Sequence, residues 1–282
     1  CVLAEVRERQ VYSNFVKGGI EMGYQNINFQ VEHGIATIEL NRPRAMNSMN
    51  FEMVEEMLQA IDECAENENV RVVVVTGNGK VFSAGDDIKI LDLVGEKSEE
   101  EISEAILQNA YPMFIKKIMS LPKPVIACVN GLCYGAGTDL ALACDYVIAS
   151  EEATFGHLYI NLGLIGNTYL LPRNVGLKKA LELIWTGRVF DGKEAYQMGL
   201  INAVVPAESL QEKTYKIAGK LAKGPTVAYG MAKKAMYESL NTDLDDGLKL
   251  MASAQASLFK TKDHKEGVKA FLEKRKPEFT GK

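Results

Sequence analysis

Val72 to Val75 is an unbroken run of four valines. Side chains alternate between the two faces of a strand, so a run with no polar residue has no solvent face. It reads as a strand buried on both sides. Val125-Ile-Ala-Cys-Val and Tyr146-Val-Ile-Ala carry the same signature. Helical patterns lie between these runs. One is centred near 103–120 and stops at Leu121-Pro-Lys-Pro; another spans Asp139 to Cys144. Nearer the start, Asn28–Glu32 and Ile35–Leu40 alternate apolar and polar residues around His33-Gly34, which predicts a hairpin. Val54, Met57, Leu58 and Ile61 recur at helical spacing. The stretch 89–104 is charged and is the weakest candidate for regular structure. This recurring strand–strand–helix alternation predicts an α/β fold built as a stacked right-handed coil of ββα units.

The strand signals end near residue 206, and 207–222, 226–240, 243–260 and 263–274 all read as helices. The expected organisation is a core over 22–205 and a helical oligomerisation region over 206–282. Residues 1–21 contain Glu5, Arg7, Glu8, Arg9 and Lys17 and lack the apolar run of a secretory signal. They are set aside as an N-terminal extension, with Met22 as the expected natural start.

Composition narrows the function classes. A net charge of −5 argues against a broad nucleic-acid surface. No run is long and apolar enough for a membrane-spanning helix. Five cysteines without a Cys-x-x-Cys pair read as reduced thiols packed as small hydrophobes. That fits the cytoplasm or an organelle matrix. With only three histidines and no spaced cluster, no metal site is expected.

Three segments carry chemistry: Leu40-Asn-Arg-Pro-Arg-Ala-Met-Asn-Ser-Met, Val81-Phe-Ser-Ala-Gly-Asp-Asp-Ile-Lys, and the glycine-rich run from Pro124 to Asp145. Their order and spacing resemble the crotonase (enoyl-CoA hydratase/isomerase) superfamily, as does the ending Glu266-Gly-Val-Lys-Ala-Phe-Leu-Glu-Lys-Arg-Lys-Pro. The resemblance spans 23–282. It implies a crotonase-like spiral with a C-terminal helical region, a coenzyme A thioester as substrate with no prosthetic group, and a homotrimer or dimer of trimers.

Gly135-Ala136-Gly137 lies just before a predicted helix. A helix N-terminus presents unpaired N–H groups and partial positive charge, which suits a thioester oxygen becoming an enolate. The resemblance assigns the two donors to the N–H groups of Asp86 and Ala136. The plainer reading is a tight turn whose glycines allow close packing. Arg44, Ala45 and Met46 are implied to line the nucleotide, and Ala84, Asp87 and Ile88 to lie beside adenine and pantetheine. Lys80 is a candidate for a phosphate. Phe271 and Lys274, from a neighbouring subunit, are implied to help close the site. Each charged residue among these reads equally well as a solvated surface group.

The chain also departs from the pattern. Family hydratases pair two glutamates, and the matching positions here are Asp139 and Tyr159. Asp139 is one methylene shorter. It reads either as a repositioned base or as a structural helix-start charge. Tyr159 donates well but is a poor base, its ordinary pKa being about 10; its plainer reading is a half-buried aromatic. If 155–160 is extended, His157 shares a face with Tyr159 and is the nearest group titrating near neutrality. The bland reading, a surface or satisfied core histidine, is favoured. Gly163-Leu-Ile-Gly-Asn-Thr-Tyr is shorter than the family's glycine-rich loop. Asn167 and Thr168 either add polarity to the acyl pocket or cap the next helix. A carboxylate beside a developing oxyanion opposes catalysis, so the Asp86 side chain is expected to turn away or pair with Lys89. The missing glutamates argue against efficient simple hydration. The expected function is lyase or isomerase chemistry on an enoyl-CoA. The rivals are a crotonase-type decarboxylase or hydrolase and, in a different class, a catalytically degraded CoA-binding or assembly subunit.

Overall fold

A computed structural model describes residues 23–89, 98–109 and 111–282. Residues 1–21, the expected start at Met22 and the 90–97 part of the charged stretch lie outside the described residues.

The chain builds two sheets by repeating one unit. A long strand enters the first sheet, a short strand enters the second, and a helix returns the chain. The first unit is β3 (Val72–Gly77) and β4 (Val81–Ser83), followed by α2 (Glu99–Asn109) and α3 (Tyr111–Ser120). The second is β5 (Val125–Val129), β6 (Leu132–Tyr134) and α4 (Ala136–Ala143). The third opens with β7 (Tyr146–Ser150) and β8 (Thr154–Gly156). The six-stranded sheet has the order β1-β2-β3-β5-β7-β10, where β1 is Ile27–Glu32, β2 is Ile35–Leu40 and β10 is Ala203–Val205. The second sheet is β4-β6-β8-β9, with β9 at Val189–Asp191. Strands β2, β3, β5, β7 and β10 run parallel, and so do β4, β6 and β8.

The valine run behaves as its composition dictates. Val73 and Val75 join Val125, Ala127 and Val147 on one face of the sheet, against α1 (Phe51–Glu66). Val72 and Val74 join Ile126, Cys128 and Ile148 on the other, against α8 (Leu210–Ala222). Asn50 caps α1, its Oδ1 accepting the Met53 N–H at 3.0 Å. At the β1–β2 hairpin, His33 and Gly34 both have positive φ, the backbone a two-residue turn requires.

Two boundaries differ from the sequence reading. The helix expected over 103–120 is two helices, α2 and α3. Pro112 sits in the first turn of the second, where its missing N–H costs nothing, yet it cannot continue a preceding helix. The helix expected to open at Asp139 opens at Ala136. Short elements over 170–205 also went unread in the sequence: α5 (Leu170–Val175), α6 (Leu177–Thr186), β9 and α7 (Gly192–Gln197).

The tail is helical: α8, α9 (Thr226–Ser239), α10 (Leu244–Leu258) and α11 (Lys262–Leu272). No residue of α10 is buried, and Leu244, Leu248, Met251, Phe259 and Phe271 are exposed. Among the described residues, no helix is long and apolar enough to cross a membrane.

Candidate active site

The three motif segments meet where the chain leaves β2, β4 and β6. Asn47 is fully buried and pins the first segment to the second. Its Nδ2 donates to the carbonyls of Asn78 and Val81, at 3.0 and 2.7 Å, and its Oδ1 accepts the Arg42 N–H. The Ser83 hydroxyl donates to the Asn47 carbonyl at 2.8 Å and accepts the Gly85 N–H at 3.1 Å. Met49 then pairs with Asp86 in a short parallel bridge. Its N–H donates to Gly85 O, and its carbonyl accepts from Asp87 N. In such a bridge the Asp86 N–H itself points the other way, towards the third segment.

Gly85 makes that approach possible. Its φ is +96°, and a Cβ there would stand 2.8 Å from Tyr134 O and 3.2 Å from Ala136 N. Only glycine combines that backbone with that proximity. Ala136 is the first residue of α4 and fully buried. Its N–H therefore has no acceptor within the helix, and the helix adds positive potential there. The two proposed donors thus lie on adjoining segments at the mouth of one helix.

Asp139 follows in the first turn of α4, with no exposed surface. Tyr159 donates its hydroxyl hydrogen to Asp139 Oδ2 at 2.6 Å, while Asp139 Oδ1 is buried without a partner. Burial pushes the Asp139 carboxyl up to about 8; the Tyr159 hydrogen bond pulls it down and the nearby Asp86 charge pushes it further up. The Asp86 side chain does not turn away and does not pair with Lys89. It faces the same cluster, where loss of hydration lifts it to about 6 against hydrogen bonds from its own N–H and from Tyr159. The expected pairing with Lys89 is not among the ion pairs of the described residues, and Asp86 stays partly exposed in the loop that Gly85 brings against Tyr134 O and Ala136 N.

Tyr159 reaches these carboxyls because 155–160 is not extended. Strand β8 stops at Gly156 and a 3-10 turn spans Leu158–Leu162. The turn separates Tyr159 from His157, so the shared face is lost. His157 is buried, neither ring nitrogen has a partner, and its ring lies 6.3 Å from that of Phe190. Burial pushes its pKa down to about 4, so it is neutral near pH 7 and does not titrate there. Gly166, unnoticed in the sequence, lies flat on the Tyr159 ring: a Cβ at 166 would fall 2.1 Å from Cε2. Asn167 is a cap, its Oδ1 accepting the Leu171 N–H at 3.0 Å.

On the other side of the two donors, the turn Pro43–Ala45 and Met46 lie against Ala84, whose N–H donates to Met46 O at 3.0 Å. This brings Arg44, Ala45 and Met46 beside Ala84, Asp87 and Ile88. Arg44, Met46, Lys80 and Ile88 are exposed there. Asp87 is held by Arg42 at 3.1 Å. Phe271 and Lys274 are not brought here within the chain. The helix of Phe271 is tied to Arg71, which precedes β3 at the opposite end of the strands, through the tail that carries Lys274: Arg71 Nη1 donates to Phe279 O at 3.0 Å, and Asp263 accepts from the Thr280 and Gly281 N–H groups. A groove of about 1190 Å³ also opens near Arg71, Lys123 and Lys233. Asp86, Ala136, Asp139 and Tyr159 are not among its lining residues. Its buried ammonium groups are already engaged, Lys123 by the Cys64 and Asn67 carbonyls and Lys233 by Asp145.

Cys64, Cys128, Cys133 and Cys144 are free and buried. Burial lifts the Cys64 thiol to about 12 and raises the other three, so none is a thiolate near neutrality.

A two-sheet spiral that delivers a glycine-rich helix start to a buried carboxyl defines the crotonase class of fold. An enoyl-CoA hydratase structure from Bacillus anthracis is 38% identical, with a TM-score of 0.83, covering 92% of this chain and all of that one. A crotonyl-CoA hydratase of Syntrophomonas wolfei is 37% identical over 93% of this chain and all of its own length. A 1,2-epoxyphenylacetyl-CoA isomerase of Escherichia coli is 37% identical over 89% of this chain and 97% of its own. Residues 30–282 match the enoyl-CoA hydratase/isomerase family, and the chain belongs to it.

Proposed function

We propose that this enzyme moves a proton along the acyl chain of a CoA thioester, shifting a double bond, in preference to adding water across one. The observation that carries this reading is the 2.6 Å hydrogen bond from Tyr159 to Asp139. Syn hydration needs a water molecule held between two carboxylates, one as base and one as acid. Here a phenol hydroxyl, fixed by its ring, occupies the acceptor that such a water would use.

The steps need only groups already described. The thioester oxygen accepts hydrogen bonds from the N–H groups of Asp86 and Ala136, which acidifies the neighbouring C–H. Asp139 Oδ1, the acceptor left open, takes that proton. The C–H electron pair delocalises into an enolate whose charge rests on the thioester oxygen. Reprotonation at the far carbon of the extended enolate completes the shift with no water consumed. The raised pKa of Asp139 makes it a stronger base than an ordinary carboxylate. Arg44 and Lys80 meet the nucleotide phosphates at the exposed edge.

The test is one preparation assayed with a 3-enoyl-CoA, crotonyl-CoA and a malonyl-type thioester. The expected result is a double-bond shift at least tenfold faster than hydration of crotonyl-CoA. Faster hydration, lost in Asp139→Asn, would restore a plain hydratase. Carbon dioxide release from the malonyl thioester as the dominant activity would favour a decarboxylase, which needs the two N–H donors but no base.

A further inference from the structure

We infer that Ser83 is a positioning residue for both N–H donors. Its hydroxyl anchors the chain on the near side of Gly85, and its backbone is the seat of the α4 N-terminus. This rests on the donor roles in the reading above.

The argument starts from the backbone groups of the loop after β4, each of which needs a partner when buried. The Ala84 N–H donates to Met46 O at 3.0 Å, and the Asp87 N–H to Met49 O at 3.0 Å. The Gly85 carbonyl accepts the Met49 N–H at 2.8 Å. All three bonds go to the first motif segment. That leaves the N–H groups of Gly85 and Asp86. The Gly85 N–H donates to Ser83 Oγ at 3.1 Å. The Asp86 N–H meets no backbone acceptor among the described residues. Ser83 thus decides which of two neighbouring N–H groups is engaged and which is left for a ligand.

Direction follows from the same bonds. The Gly85–Asp86 peptide is trans, so the Asp86 N–H points opposite to the Gly85 carbonyl that Met49 holds. Between that peptide and the one before it stands Gly85, the residue type with the freest backbone. Met49 anchors the far side of this hinge, and Ser83 Oγ anchors the near side. The anchor is itself fixed. Ser83 has no exposed surface, and its single hydroxyl hydrogen goes to Asn47 O at 2.8 Å, which turns a lone pair towards Gly85.

The second donor rests on the same residue. Gly137 follows Ala136, and a Cβ there would stand 2.7 Å from Ser83 O and 2.9 Å from Ser83 Cβ. The first turn of α4 therefore lies directly on the Ser83 backbone. Ser83 also pairs with Cys133 of β6, after a break in register between Val81 and Ser83. The Thr138 hydroxyl of α4 donates to that Cys133 carbonyl at 2.7 Å. The end of β4, the end of β6 and the start of α4 are closed into one unit around Ser83. An oxyanion gains from two donors only if both aim at the same point.

A buried hydroxyl that merely stabilises the fold provides the control. Thr76 Oγ1 donates to Cys128 O at 2.9 Å in the first sheet, away from the donors. Ser83→Ala and Thr76→Val each delete one such bond. In the double-bond shift of a 3-enoyl-CoA, Ser83→Ala is expected to lower kcat about 10²-fold. Its KM should stay within about threefold, because the lost alignment matters only as the enolate forms. Ser83→Cys, which keeps a weak acceptor, should lose about tenfold. Thr76→Val should keep the wild-type kcat. Wild-type kcat in Ser83→Ala, or an equal loss in Thr76→Val, would overturn the inference. Should Ser83→Ala not fold, Ser83→Cys decides, and a wild-type kcat there overturns it. A second measurement needs no turnover: the infrared stretch of a saturated acyl-CoA labelled with carbon-13 at the thioester carbonyl. Binding to the wild type and to Thr76→Val should lower its frequency relative to the free thioester, and binding to Ser83→Ala or Ser83→Cys should lower it less. An equal shift in all four proteins would overturn the role of Ser83, and no shift in the wild type would overturn the donors as well. A wild type that polarises the carbonyl but shifts no double bond would sink the functional reading alone, and the infrared comparison would still decide the role of Ser83.

Discussion

The Tyr159 hydroxyl lies 2.6 Å from Asp139 Oδ2, joining a 3-10 turn to the first turn of α4 at the most buried point of the site. The bond fixes the direction in which each group can act. It spends one oxygen of Asp139 and leaves the other, Oδ1, as the acceptor available to an acyl chain.

Asp139 should control both rate and stability against pH. Its folded pKa of about 8 stands above the ordinary 3.8. The folded state thus keeps a proton that the unfolded chain releases. This contribution to stability is fully present below about pH 4 and is lost as pH rises to about 8. Relative to Asp139→Asn, the wild type should lose up to about 1.4 kcal/mol per pH unit across that window. Urea unfolding of both proteins at several pH values checks it, and a constant difference would show Asp139 ionised throughout. Proton abstraction needs the ionised form, so the double-bond shift should rise with pH towards about 8 and fall by about 10²–10⁴-fold in the variant.

Gly166→Ala should act through Tyr159. The added methyl group would fall 2.1 Å from the ring, so the ring must move. Gly166 is a positioning residue, and the expected result is a loss of activity of about 10²-fold with CoA affinity retained. A crystal structure of the variant should show Tyr159 displaced from Asp139. Full activity with the ring in place would mean the loop yields instead.

Ala136→Pro deletes the helix-start N–H at a position where proline suits a helix. The variant should fold, as judged by circular dichroism, and lose about 10²–10³-fold in turnover. Turnover at the wild-type level would remove this N–H from the mechanism.

The tail predicts an assembly. Leu244 is 76% exposed and Phe271 84% exposed, values that leave large apolar surfaces unpaired in one chain. Light scattering should report a trimer or a multiple of it, and Leu248→Asp with Met251→Asp should dissociate it. CoA binding should weaken in the same variant if Phe271 and Lys274 reach a neighbour's nucleotide. A monomeric wild type at micromolar concentration would rule this out.

Local sequence was enough for most of the architecture, though not for the short elements over 170–205. The valine run, the hairpin at His33-Gly34 and the proline stop at Leu121-Pro-Lys-Pro each act through backbone geometry and side-chain alternation within a few residues. The four tail helices announced themselves by periodicity in the same way. Gly135-Ala136-Gly137 marks a helix start by composition, and α4 opens there at Ala136; the donor roles of Asp86 and Ala136 are what the family resemblance implies. What the sequence could not decide was direction. Where the Asp86 loop lies depends on the positive φ at Gly85 and on how closely Tyr134 and Ala136 approach it. Likewise, 155–160 alternates well enough to pass for a strand, and only the packing of Gly166 on the Tyr159 ring shows why the chain turns there. The pKa values of Asp86, Asp139 and His157 follow from burial, which contacts far apart in sequence create. Chain-local signals fix which residues are present at the site, whereas desolvation and mutual distance, set by the whole fold, fix which of them hold a proton.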